Sequence, residues 1–187
     1  MQPTDVTKKA TYHHGELRQA LLEAALTLLK TQVIEQLSLR GVAKQAGVSH
    51  TAPYRHFKDK AALLAAVAEE GFVEFGQYLT AAVSSDPTES LIATGEAYVR
   101  FALEHSTHFR VMFSHFPAVP DPESTLPETA TGTFQILVDV IAAGQAQGVF
   151  KPGNPKEMAI GRWALDHGLA MLLLAGMLNS EQTDKRP

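Results

Sequence analysis

The chain has 187 residues, 45% hydrophobic and 19% charged, a balance that excludes whole-chain disorder and allows a module of about 50 residues joined to a larger one. It contains no cysteine, which removes disulfides, zinc–thiolate sites and thiol nucleophiles and suits a reducing compartment. The net charge of −4 hides a division: residues 1–60 carry nine Lys plus Arg against five Asp plus Glu, whereas the remainder carries seven against fifteen, the pattern of a basic nucleic-acid reader joined to an acidic body.

The first residues are polar and lack the apolar run of a secretory signal, and the longest apolar stretch, 169–178, is too short to span a bilayer. A cytoplasmic protein with no membrane partner is therefore expected. Leu17, Ala20, Leu21, Ala24, Ala25, Leu28 and Leu29 recur at spacings of three and four, predicting a helix over 16–30. Ser38 caps a second short helix that ends at Gly47, and Ser49 opens a third that reaches Tyr54 or Arg55. Asp59 caps a long Ala-rich helix running to about Val83, and Asp86-Pro87 starts one reaching His105. Ser106 is expected to cap a short aromatic piece from Phe109 to Phe113. The prolines 117, 120, 122 and 127 predict a loop over 116–127. A helix over 128–147 stops at Gly148, and Asn154-Pro155-Lys156-Glu157 supplies a cap, a first-position proline and a capping-box glutamate for a last helix to about Leu178. No strand-like alternation or internal repeat is visible.

The informative block is LSLRGVAKQAGVSHTAPYRHFKDK, residues 37–60. Its two short helices meet at a tight turn that needs a positive φ, supplied by Gly47, while Ala43 is small enough for close approach and Val42, Val48 and Phe57 set the angle. The exposed face of the third helix then fits a major groove. His50 and Thr51 are placed nearest base edges; Ser38, Ser49, Tyr54, Arg55, His56 and Lys60 lie where phosphates pass. Arg40 and Lys44 keep the module basic, which is also the alternative reading of Arg55, and Tyr54 reads equally well as a core ring with its hydroxyl exposed.

The block resembles the DNA-binding domain of the TetR family of bacterial repressors, from HHGELRQALLEAALTLL through LSLRGVAKQAGVS to YRHFKDKAALL, over residues 12–67. Pro53 departs from the pattern where many relatives carry a residue with an amide donor. The resemblance implies an all-α protein: a three-helix, homeodomain-like helix-turn-helix over 12–58, a helical ligand-binding and dimerisation bundle over 59–180, and loose tails at 1–11 and 181–187. It also implies a homodimer on palindromic double-stranded operator DNA, released by a small apolar ligand, with no cofactor.

The body is rich in aromatic and thioether side chains, so Phe72, Phe75, Tyr98, Phe101, Phe109, Met112, Phe113, Trp163, His167 and Met171 are candidates to line a pocket, with Arg110 and Asp166 as polar partners. Ordinary core packing is the competing reading. Gly161, Gly168 and Ala175 repeat every seven residues with Ala164 alongside, a small-residue stripe that admits another helix. The segment from Trp163 to Ala170 resembles the Trp-His-Gly signature of one C-terminal subgroup of the family. That likeness implies a four-helix dimer bundle that includes Phe134, Leu137 and Ile141; packing of the stripe within one chain is the alternative. A ligand-independent activator or architectural DNA-binding protein also fits the sequence. A metal-dependent or His-based enzyme, suggested by eight histidines, finds no HExxH, GxSxG or paired-ligand spacing in support.

Overall fold

The computed structural model describes residues 14–114 and 125–178; both expected tails and most of the proline loop lie outside the described residues. Seven α-helices and two 3₁₀ turns form those residues, with no strand among them, so the fold is all-α. The chain divides after Leu63 into two compact units, an N-terminal helix-turn-helix and a C-terminal helical domain. Among the described residues no helix is long and apolar enough to cross a membrane.

The first unit holds α1 (His14–Leu29), a 3₁₀ turn (Ile34–Gln36), α2 (Leu39–Gln45), a second 3₁₀ turn (Ala52–Arg55) and the opening of α3 (Lys60–Ala81). The apolar stripe of α1 supplies Leu21, Leu22, Ala25 and Leu29, which are buried together with Leu37, Leu39, Val42, Ala43 and Phe57. Each large side chain withdrawn in this way contributes roughly 1.5–3 kcal/mol. Ser38 caps α2 as expected, its hydroxyl accepting from the Gly41 amide at 3.1 Å, and Asp59 accepts from the Ala62 amide at 2.8 Å.

The third element differs from expectation. Ser49 caps no α-helix; its hydroxyl lies 3.2 Å from that of Thr51, and the following residues form a single 3₁₀ turn. Pro53 is the cause. An α-helical bond from residue 53 to the Ser49 carbonyl is impossible without an amide hydrogen, so that carbonyl accepts from Ala52 at 3.0 Å instead. Buried Pro53 in turn accepts from His56 and Phe57, both at 2.9 Å, which closes the turn.

The second unit comprises the rest of α3, then α4 (Pro87–Glu104), α5 (Ser106–Ser114), α6 (Leu126–Ala146) and α7 (Pro155–Leu174). Helix α4 lies against α5, α6 and α7, and α6 lies against α7. Asp86 caps α4 through the Thr88 and Glu89 amides, and Asn154 caps α7 through Lys156. Glu157 accepts from the Asn154 side-chain amide at 3.2 Å, which replaces the backbone bond of a capping box. Ser106 lies inside α5, because the Phe109 amide reaches the His105 carbonyl at 2.9 Å and the helix starts earlier than its aromatic residues suggest. Pro127 falls in the first turn of α6, where no amide hydrogen is required. Helix α7 ends at Leu174, short of Leu178, as the chain leaves it through Gly176 at φ 70°.

Candidate nucleic-acid interface and apolar cavity

The turn after α2 is a Schellman motif. Gly47, at φ 69°, donates to the Lys44 carbonyl at 3.2 Å, and Val48 donates to Ala43 at 3.0 Å, so two carbonyls left over at the helix end are satisfied. Ala43 is buried and Val48 half-buried, which fixes the exit direction of the chain. On the outside, Ser38, Ser49, His50, Thr51, Tyr54 and Arg55 are all exposed. Tyr54 is 53% exposed, which rules out its reading as a core ring. His56 is half-buried beside Phe57, whose ring also carries the Arg18 guanidinium at 5.7 Å. Lys60 has a structural duty that its sequence did not reveal: its ammonium donates to the Glu35 carbonyl at 2.8 Å, tying the first 3₁₀ turn to the start of α3.

In the second unit, Phe72, Phe75, Leu79, Tyr98, Phe113, Ala130, Thr133, Phe134, Leu137 and Trp163 line a partly open, nearly wholly apolar cavity of about 140 Å³. Five of these were candidates from sequence: Phe72, Phe75, Tyr98, Phe113 and Trp163. Phe101, Phe109 and Met112 instead sit at 0–1% exposure inside the core, and Met171 is 49% exposed on α7, so none of the four lines the cavity. Arg110 is exposed, and Asp166 is held by Arg162 Nε at 2.9 Å; neither lines the cavity.

His167 backs the cavity wall through a fixed chain of hydrogen bonds. The Trp163 indole can only donate, and does so to the Tyr98 hydroxyl at 3.1 Å; Tyr98 then gives its own hydrogen to His167 Nδ1 at 2.8 Å. With that hydrogen on Tyr98, His167 Nδ1 is the acceptor of a neutral imidazole, and burial among Phe109, Phe113 and Trp163 lowers its pKa, which favours the neutral form. Burial likewise raises the pKa of Tyr98. Thr133 donates inward along its own helix to the Thr129 carbonyl at 2.8 Å.

The residues assigned to a dimer face separate into two sets. Leu137 and Ile141 are buried in a cluster with Val138 and Ala159, against which Phe134 packs, so these three belong to the interior of one chain. The periodicity of α6 showed an apolar face without showing which neighbour covers it. Gly161, Ala164 and Ala175 are exposed and Gly168 is half-buried, with nothing within 4 Å of a Cβ placed at Gly161 or Gly168. Leu165 (72% exposed) and Leu172 (41%) fall between them, completing a spacing of four and three from 161 to 175 that the glycines alone obscured.

Sequence reasoning also found no paired-ligand spacing, yet His105 and His108 are three residues apart across the α4–α5 junction and converge on Glu74 of α3.

Residues 21–67 match the family described as bacterial regulatory proteins, tetR family, and residues 91–186 match the tetracyclin repressor-like C-terminal domain. The HTH-type transcriptional regulator AcrR of Shigella flexneri is 39% identical over 64 residues, 34% of this chain and 30% of that protein. The tetracycline repressor protein class C of Escherichia coli is 32% identical over 106 residues, 57% of this chain and 48% of that protein. The chain thus spans less than half the length of either curated relative. A solved protein of unknown function from Rhodococcus sp. RHA1 is 37% identical, with a TM-score of 0.80, over 92% of this chain and 90% of that one.

Proposed function

The chain belongs to the tetR family of bacterial regulatory proteins, and from that premise we propose that it is a dimeric repressor that grips palindromic operator DNA and is released by a small apolar ligand. The observation that carries the reading is the exposed polar rim Ser49, His50, Thr51, Tyr54 and Arg55, set by the Gly47 turn in a unit whose stretch 1–60 is net basic. His50 and Thr51 offer hydrogen bonds to base edges, and the Thr51 methyl fits a thymine methyl. Tyr54, Arg55, Ser38, His56 and the two hydrogens left on Lys60 serve phosphates, which set register without reading sequence.

The 140 Å³ cavity suits a small apolar ligand, since apolar voids of about 150 Å³ accept a benzene-sized molecule. Tyr98 and Trp163 are the polar tips at its wall, and a ligand that breaks their chain to His167 would prefer a different packing of α4 against α7, as release requires. For the dimer, α7 offers Gly161, Leu165, Gly168, Leu172 and Ala175 as a seam for the same helix of a second copy. The Trp163-His167-Gly168 likeness to the Trp-His-Gly subgroup is part of this reading.

Fluorescence anisotropy on DNA from upstream of its own gene, repeated across salt, tests it. Affinity should fall steeply with salt, with Arg55→Ala lowering the slope by about one and His50→Ala changing sequence preference. Salt-insensitive binding, or equal affinity for every duplex, would refute it.

A further inference from the structure

We infer that Glu74, His105 and His108 form a binding site for one divalent transition-metal ion, zinc foremost, lying outside the apolar cavity. Their ligand atoms all lie within 4.8 Å of one another, and none of the three lines the cavity. Two imidazoles and a carboxylate are a borderline-soft set that suits zinc, with a fourth position for water.

Local sequence builds the cluster. Gly71, Glu74 and Tyr78 share one face of α3 at spacings of three and four. A Cβ at Gly71 would stand 2.7 Å from Met112 Sδ and 3.2 Å from the His108 Cβ, so the bare glycine lets α5 approach α3 and brings His108 beside Glu74. His105 and His108 lie one turn apart because the His105 carbonyl already accepts from the Phe109 amide.

The hydrogen bonds around His105 fix which nitrogen is free. Tyr78 gives its single hydrogen to Glu104 Oε2 at 2.7 Å, so its oxygen accepts from His105 Nε2 at 3.0 Å, and that nitrogen carries the proton. Such an outer partner is what orients metal-binding histidines. Nδ1 is then aimed at Glu74 Oε2, 3.2 Å away. Two lone pairs face each other at this distance only with a positive centre between or on them. One proton would satisfy that pair, but a third ligand atom, on His108, lies within 4.8 Å of both, and a single metal ion can serve all three. The gap also fits: ligands about 2.0–2.1 Å from a tetrahedral zinc lie roughly 3.3 Å apart. His105 and Glu74 are 25% and 38% exposed, which leaves an entry path, and Glu104 adds negative charge nearby.

The test is calorimetric titration of the chelator-treated full chain with Zn²⁺ alone, alongside the visible absorption of added Co²⁺. One ion per chain is expected, with a tetrahedral-type Co²⁺ spectrum. Glu74→Gln and His108→Gln should each weaken binding by more than about a hundredfold, and Tyr78→Phe by about 10- to 100-fold. Replacing both His13 and His14 by alanine should change nothing. Melting without metal reports folding of each variant, and Tyr78→Phe and Glu74→Gln alter partly exposed groups that the core does not need. Stoichiometric binding that survives Glu74→Gln and His108→Gln, or that disappears with His13 and His14, overturns the assignment. So does the absence of binding by the wild-type chain.

Discussion

Gly47→Ala is expected to destabilise the helix-turn-helix unit by about 1–2 kcal/mol through backbone conformation alone. The residue sits at φ 69°, and a Cβ added there meets nothing within 4 Å, so no steric clash contributes. Gly132 supplies a control of opposite sign: its Cβ would also enter open space, but it lies inside α6 at ordinary helical φ. Gly132→Ala should therefore stabilise by roughly 0.5–1 kcal/mol, since glycine loses more backbone freedom on helix formation. In a unit of this size 1 kcal/mol moves Tm by roughly 4–8 °C. The sole tryptophan, Trp163, is in the second unit, so its fluorescence would miss the change; far-UV circular dichroism and hydrogen exchange of the Val42 and Ala43 amides report on the first. Equal stability of Gly47→Ala and wild type would refute the argument. So would Gly47→Asn proving worse than Gly47→Ala, because asparagine tolerates this conformation better.

Ala130→Leu should fill much of the 140 Å³ cavity, raise Tm and abolish any thermal shift given by benzene-sized ligands; an unchanged ligand shift would place binding elsewhere. Leu165→Glu should leave the protomer folded, since the side chain is 72% exposed, yet convert the proposed dimer to monomer in sedimentation; a persistent dimer would reject the α7 seam. Burial holds the folded pKa of His167 below its ordinary 6.5, so the unfolded chain takes up the proton first: its contribution to stability is full above about 6.5 and declines as pH falls through the lowered folded value. Urea midpoints from pH 8 to 5 should show that decline, and His167→Gln should reduce it; an unchanged profile would reject the neutral assignment. Lys60→Met should cost about 1 kcal/mol by releasing the Glu35 carbonyl, measured by urea unfolding without DNA; no loss would mean the bond contributes nothing.

The first unit was legible because its determinants are local. Ser38 and Asp59 act within three residues of themselves, so its caps could be read from the chain, as could those of Asp86 and Asn154 in the second unit. Gly47 could be recognised because the turn it forms spans only a few residues. Pro53 was noted as a departure while a third helix was still expected; its missing amide removes the bond to the Ser49 carbonyl, and a 3₁₀ turn forms there.

Local order alone left the second unit ambiguous. Periodicity showed that α6 had an apolar face, but not that Leu137 and Ile141 are covered by their own chain while Leu165 and Leu172 are left open. Composition announced surplus aromatic surface; only packing decided that Phe101 and Phe109 fill the core while Ala130 and Thr133 border a void. The convergence of Glu74 with His105 and His108, about thirty residues distant, depends on Gly71 bringing two helices together. Caps, turns and charge division depend on neighbours along the chain and were determined by sequence; cavities, seams and ligand clusters depend on which surfaces win the competition for burial, and that is decided only when the helices pack.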